Sequence, residues 1–162
     1  MQDDGQDLDL RAQLRAAGLR VTAPRLAVLN AVTAQPHSDA DSVAAQVRQQ
    51  LGSVSTQAVY DVLKACVSAG LLRRIEPAGS PARFETRTGD NHHHLVCRSC
   101  GKVVDVDCVV GQASCLEPSD RHGFEIDEAE VVFWGRCNDC LKSSAESGIV
   151  SDAVSQNHDA AR

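Results

Sequence analysis

Three helical segments in succession, a strand–turn–strand pattern behind them and a β-prone stretch around a cysteine knuckle predict an α+β chain in two parts. The first is expected to be an N-terminal winged helix-turn-helix over residues 1–87. The second is a small C-terminal α/β domain over 88–142, reached through a hinge at Thr88–Asn91. Residues 143–162 are polar and poor in core formers, and are expected to form a flexible tail.

Each element has a local reason. Leu8–Ala17 reads as a short amphipathic helix that stops at Gly18. A second helix starts near Pro24, with Thr22 where a capping hydroxyl belongs and Pro36 closing it. Ser38–Gln50 is a third helical segment: Ser38 or Asp39 is placed to cap it, and Val43, Ala44 and Val47 share an apolar face. In the fourth, Ser55 is the N-cap and Gly70 the stop. Val59, Val62, Leu63 and Cys66 line its apolar side, opposite Thr56, Gln57, Tyr60, Asp61 and Lys64. LLRRIEP and ARFET flank the turn PAGSP as a β-hairpin. Beyond Gly89-Asp90, LVCRSCGKVVDVDC is strand-like, Val109–His122 reads as a helix that Pro118 shortens, and Glu125–Gly135 reads as a further strand.

The totals narrow the function. At 162 residues and 43% hydrophobic content, the chain has material for one domain or two small ones, and wholesale disorder is excluded. No apolar run approaches membrane-span length, and the acidic start MQDDGQDLDL has no secretory apolar core. A cytoplasmic location without a membrane partner is therefore expected. In a reducing compartment the seven cysteines are expected to hold metal or do redox work rather than form disulfides. The net charge of −6 is unevenly spread: Arg20–Arg87 carries 8 basic and 5 acidic residues, whereas Thr88–Arg162 carries 6 basic and 13 acidic. The front part can face a polyanion and the back part cannot.

Two constellations carry chemistry. Cys97-Arg98-Ser99-Cys100-Gly101 and Cys137-Asn138-Asp139-Cys140 form two CxxC knuckles, the pattern of a four-thiolate structural zinc with no open position. A redox CxxC comes singly and opens a helix, which fits this pair less well. The run Asn91-His92-His93-His94 places His92 and His94 on one face of an extended segment and His93 on the other. Two imidazoles beside a hinge suit an exchangeable divalent ion, Fe(II), Mn(II) or Zn(II), and His37, Glu85 and Asp105 are the candidate further ligands. On the fourth helix, Thr56, Gln57, Tyr60 and Lys64, with Ser55 at its start, suit contacts to duplex DNA, and Arg20, Arg25, Arg73 and Arg74 suit phosphates. Cys66 reads as core. Cys108 and Cys115 read as packing residues, with a thiol role left open. No HExxH helix supports a zinc hydrolase, and both CxxC pairs are better spent on zinc than on thiol redox, so the chain is not expected to be an enzyme.

GLRVTAPRLAVL, STQAVYDVLKACVSAGLL with Tyr60, and HHHLVCRSCGKVVDVD with the later CxxC together resemble the ferric uptake regulator family from about Leu8 to Leu141. NHHHLVCRSCG, DVDC and DEAEVVFWGRC resemble its actinobacterial branch that represses catalase-peroxidase genes. The resemblance implies a homodimeric, metal-dependent repressor whose back half is a dimerisation domain and which binds a pseudo-palindromic operator. It implies one structural zinc per subunit on Cys97, Cys100, Cys137 and Cys140. It also implies one regulatory Fe(II) or Mn(II) on His37, Glu85, His92, His94 and Asp105, and a DNA contact at Tyr60. Iron homeostasis and zinc uptake are the alternative duties of such a regulator, but no cysteine lies between Leu71 and His92, where zinc sensors of the family place a ligand. A further dimer-domain site found in relatives falls on Asn91, Gln112 and Ala129 here, which are poor ligands, with His93 left as a fragment.

Overall fold

The computed structural model describes residues 3–90, 92–107, 120–125 and 131–149. The chain divides into two compact units, Met1–Asp90 and Asn91–Arg162.

The first unit holds α1 (Asp3–Ala16), α2 (Ala23–Ala34), β1 (Ser38–Asp39), α3 (Ala40–Leu51), α4 (Thr56–Ser68), β2 (Arg73–Ile75) and β3 (Arg83–Glu85). Its core is aliphatic: Leu14, Val28, Leu29, Val32, Val43, Val47, Val59 and Leu63 are each almost wholly buried. Apolar spacing of three and four along α2, α3 and α4 turns these side chains inward. Cys66 closes the inner face of α4, and burial pushes its thiol pKa up to about 11, so it stays protonated as a small core residue.

Capping sets where the helices begin. Asp39 accepts from the Ser42 backbone N–H at 2.8 Å, and Ser55 accepts from that of Ala58 at 3.1 Å. Thr22 occupies the N-cap of α2 but makes no side-chain cap bond, so the geometry there rests on Pro24 in the first turn. The α1 helix begins at Asp3, five residues before the expected Leu8. The third segment also differs from expectation. Ser38 and Asp39 form a strand rather than the first helical turn, because Ser38 pairs with Phe84 and Asp39 with Arg83. The wing is consequently a three-stranded antiparallel sheet in the order β1-β3-β2, not a two-stranded hairpin.

The second unit is built on β4 (His92–Cys97), which pairs antiparallel with β5 (Val103–Asp107) and parallel with β6 (Val132–Gly135). The order β5-β4-β6 puts β4 in the centre. Helix α5 (Asn138–Ile149) follows β6 and carries helical backbone seven residues into the stretch expected as tail, 143–149. Of the helix expected over Val109–His122, residues 109–119 lie outside the described residues, and His122 sits in a turn at φ 45° rather than in a helix. Cys108 and Cys115 also lie outside the described residues. Among the described residues, no helix is long and apolar enough to cross a membrane.

The Asp39 carboxyl is held below its ordinary pKa, first by the Ser42 backbone N–H, with Arg83 adding attraction. A lowered carboxylate pKa adds stability above the unfolded value near 3.8 and loses it as pH falls through the folded value. Asp39→Ala is therefore expected to cost about 1 kcal/mol at neutral pH in urea unfolding, with the gap to the parent closing below pH 4. Truncating the core is expected to be costlier: Leu63→Ala should lose about 2–5 kcal/mol, while Tyr60→Ala on the exposed side of the same helix stays within about 0.5 kcal/mol.

Candidate metal centres and recognition helix

The two cysteine knuckles meet in the second unit. Parallel pairing of β4 with β6 sets Cys97 opposite Gly135, and the Arg98 N–H donates to the Gly135 carbonyl at 2.8 Å. That register delivers Cys97 and Cys100, from the β4–β5 turn, to Cys137 and Cys140 at the start of α5. Gly101 turns the first knuckle at φ 71°, a left-handed conformation that favours glycine. One sulfur from each of the four cysteines lies within 4.8 Å of the other three, with Cys100 Sγ and Cys137 Sγ 3.7 Å apart.

The electrostatics of this cluster favour a divalent cation. Backbone N–H groups of Cys137, Cys100 and Ser99 point at the Cys97 sulfur and lower its pKa to about 6, the Cys137 N–H standing 3.3 Å away. The neighbouring Cys137 and Cys100 side chains push Cys140 up to about 12. Four crowded sulfurs cannot all ionise without a countercharge, and a divalent ion in place of the protons provides it. Four thiols at tetrahedral-cage spacing, with no other ligand type among them, fit structural zinc.

Each unit also carries a set of imidazole and carboxylate donors. In the first, His37 adopts φ 62°, held by its N–H donating to the Phe84 carbonyl at 2.8 Å. Its Nε2 stands 3.0 Å from Glu85 Oε2. Glu85, at the end of β3 and buried, has Arg73 Nε 3.9 Å from its other oxygen, across the register pair Arg73–Glu85. In the second, alternation along β4 puts His92 and His94 on one face, their rings 4.8 Å apart and nearly perpendicular. Asp105, the register partner of His94, brings Oδ1 to 3.6 Å from His94 Nε2 and 3.9 Å from His92 Nε2. His93 faces the other way and packs edge-on to Phe133. Asn91, Gln112 and Ala129, the positions of the further dimer-domain site, lie outside the described residues.

The exposed side of α4 carries Thr56, Gln57, Tyr60 and Lys64, as the spacing requires. Arg20 is exposed ahead of α2, and Arg25 is half-buried and donates to the Arg20 carbonyl at 2.7 Å. Arg48 is a residue that sequence reasoning missed. From the last turn of α3 it donates to the Val54 carbonyl at 3.1 Å and to Thr56 Oγ1, tying α3 to the start of α4. A basic residue in the last turn of the helix before the turn was the available signal.

Fold and sites together define a class: a metal-binding transcriptional regulator on a winged-helix frame. The sequence pattern of the ferric uptake regulator family matches residues 16–134, and the chain belongs to that family. It is a metal-dependent, DNA-binding regulator of transcription and not an enzyme. The transcriptional regulator FurA of Mycobacterium tuberculosis is 61% identical over 132 residues, which cover 82% of this chain and 90% of that one. The crystal structure of the Vibrio cholerae ferric uptake regulator, described for a rearrangement of its DNA-binding domains, matches with a TM-score of 0.65 at 28% identity. That match covers 78% of this chain and 98% of the other. The ferric uptake regulator of Pseudomonas aeruginosa with manganese matches with a TM-score of 0.61 at 30% identity, over 80% and 98% of the two chains.

The purified protein is expected to retain about one zinc per chain through dialysis against a moderate chelator, read by elemental analysis. Cys100→Ser or Cys137→Ser should abolish that retention, whereas His94→Ala should leave it unchanged.

Proposed function

We propose that the protein is a homodimeric repressor, loaded with iron or manganese and responsive to peroxide, that acts in the cytoplasm on catalase-peroxidase or other oxidative-stress genes. One observation carries this reading: the imidazole and carboxylate donors form two incomplete sets, His37 with Glu85 and His92, His94 with Asp105. Neither set alone fills the five or six positions that Fe(II) or Mn(II) prefers, and together they do. The donors are nitrogen and hard oxygen, and Leu71–His92 supplies no thiolate, which favours iron or manganese over a zinc sensor. The similarity to the manganese-containing Pseudomonas aeruginosa protein supports the same assignment.

In this mechanism His37 and Glu85 in the first unit, and His92, His94 and Asp105 in the second, ligate one regulatory ion per subunit. An ion held by these donors would supply Lewis acidity and, as Fe(II), a redox partner for peroxide. Ligands that converge only in one arrangement of the two units stabilise that arrangement. In the dimer it sets the separation of two α4 helices to match the half-sites of a pseudo-palindromic operator. Tyr60 and Gln57 then face base edges and sugars; Ser55, Thr56, Lys64, Arg20 and Arg25 face the sugar-phosphate backbone. The Cys97, Cys100, Cys137 and Cys140 zinc remains in place throughout and holds the second unit together. His37 and His92 would be the imidazoles open to oxidation by peroxide beside a bound Fe(II), and loss of either would remove a donor from the set.

The test is an anaerobic titration of zinc-loaded protein onto a family-type palindromic operator with Fe(II), Mn(II) or no added metal, followed by a brief peroxide pulse. Both metals should tighten binding, by up to about 150-fold for a coupling near 3 kcal/mol. Only the iron form should then release DNA, with mass added on a peptide containing His37 or His92. His37→Ala and His94→Ala should remove the metal effect and keep the zinc. An iron form that survives the pulse would make the protein a regulator of metal level. Thiolate-only ligation of the exchangeable metal, read by X-ray absorption, would sink the proposed donor set.

A further inference from the structure

The exposed side of α4 includes an acid. Asp61 is the sixth residue of the 13-residue helix, flanked on the same side by Gln57, Tyr60 and Lys64. The first unit's other acids near this helix have local structural reasons. Asp39 caps α3 through Ser42, and Asp41 lies in the first turn of α3, where the helix dipole favours an anion. Asp61 has neither: it lies mid-helix, away from the dipole ends, and aspartate is among the poorer helix formers. It is exposed, and its carboxylate accepts from the Gln57 amide, Oδ1 to Nε2 2.9 Å, one turn earlier. That bond also fixes which way round the Gln57 amide lies.

An acid on a surface that meets DNA is repelled by phosphates, and the favourable partner such a surface offers it is a donor on a base edge. In the major groove the base-borne donors are the exocyclic amino groups of cytosine and adenine; guanine O6 and N7 and thymine O4 are all acceptors. A carboxylate is acceptor-only and cannot be rescued by rotating a proton into place.

We propose that Asp61 is a specificity-determining residue: its carboxylate accepts from the exocyclic amino group of cytosine or adenine at one position of each half-site and rejects guanine and thymine there. This rests on the reading of α4 as the recognition helix. Gln57, held in one orientation by Asp61, keeps its carbonyl oxygen and second amide N–H for a neighbouring base. Thr56 differs from both, because its hydroxyl already receives Arg48, so it serves to seat the helix.

The experiment is selection of bound duplexes from a random pool by the zinc- and manganese-loaded full chain, run in parallel for the parent, Asp61→Ala, Asp61→Asn and Gln57→Ala. In the parent, each half-site is expected to hold one position restricted to cytosine or adenine, where guanine or thymine lowers affinity about tenfold or more. Asp61→Ala should flatten that position alone and leave the rest of the motif. Asp61→Asn should shift it towards adenine, which an asparagine amide pairs with through two hydrogen bonds. Gln57→Ala should keep it. The inference is overturned if Asp61→Ala leaves every position as in the parent, or if it tightens binding to all sequences alike, as removal of a merely repelled charge would. It is also overturned if Gln57→Ala flattens the position instead. A parent that enriches no motif would bring down the recognition-helix reading together with this inference; an enriched motif with an unchanged Asp61→Ala profile would bring down the inference alone.

Discussion

The register of β4 is the constraint on which both sets of donors in the second unit depend. Side chains alternate along a strand with a period of two, so slipping β4 by one residue against its neighbours would exchange its faces. His92 and His94 would leave the side of Asp105, and Cys97 would leave its place opposite Gly135. One hydrogen-bonded ladder thereby serves two chemistries: imidazoles on one face, and a thiolate at the strand end. The four sulfurs are the reciprocal support. A cation bound by Cys97, Cys100, Cys137 and Cys140 pins the end of β4 to the start of α5, and with it the parallel pairing to β6.

The first unit solves a different problem. It must hold α4 rigidly while leaving one whole side of it uncovered. Its inner residues Val59, Leu63 and Cys66 are buried among aliphatic side chains of α2 and α3. Its start is held by the Ser55 cap and by Arg48 reaching across from α3. For the proposed role of α4 in DNA recognition, rigid placement would matter because base-edge hydrogen bonds tolerate little displacement, and a side chain already locked by a neighbour loses less entropy on binding. The Gln57–Asp61 pair extends the same economy to the exposed side.

Charge follows the same division of labour. The basic excess lies in Arg20–Arg87, the stretch that carries the exposed α4, and the acidic excess in Thr88–Arg162, which carries the thiolate cluster. A chain of net charge −6 can therefore present a locally attractive surface to a polyanion.

Much of the architecture was legible because it is written in short-range rules. Caps at Asp39 and Ser55, the three-and-four spacing of α2 to α4, the alternation of His92, His93 and His94, and the two CxxC knuckles each depend on residues within one or two turns of one another. The strand at Ser38 and Asp39, just ahead of the capped helix, is not legible for the opposite reason. Their strand partners, Phe84 and Arg83, lie more than forty residues away, and the pairing overrides a local preference for helix. The parallel partner of β4, the 3.0 Å approach of His37 to Glu85 and the reach of Arg48 to Thr56 are of the same kind. Local sequence chose the elements and the donor types, since propensity, capping and knuckle chemistry act over a few residues. Which donors meet, and in what register, was decided only by tertiary pairing, because those contacts join different elements, most of them far apart in the chain.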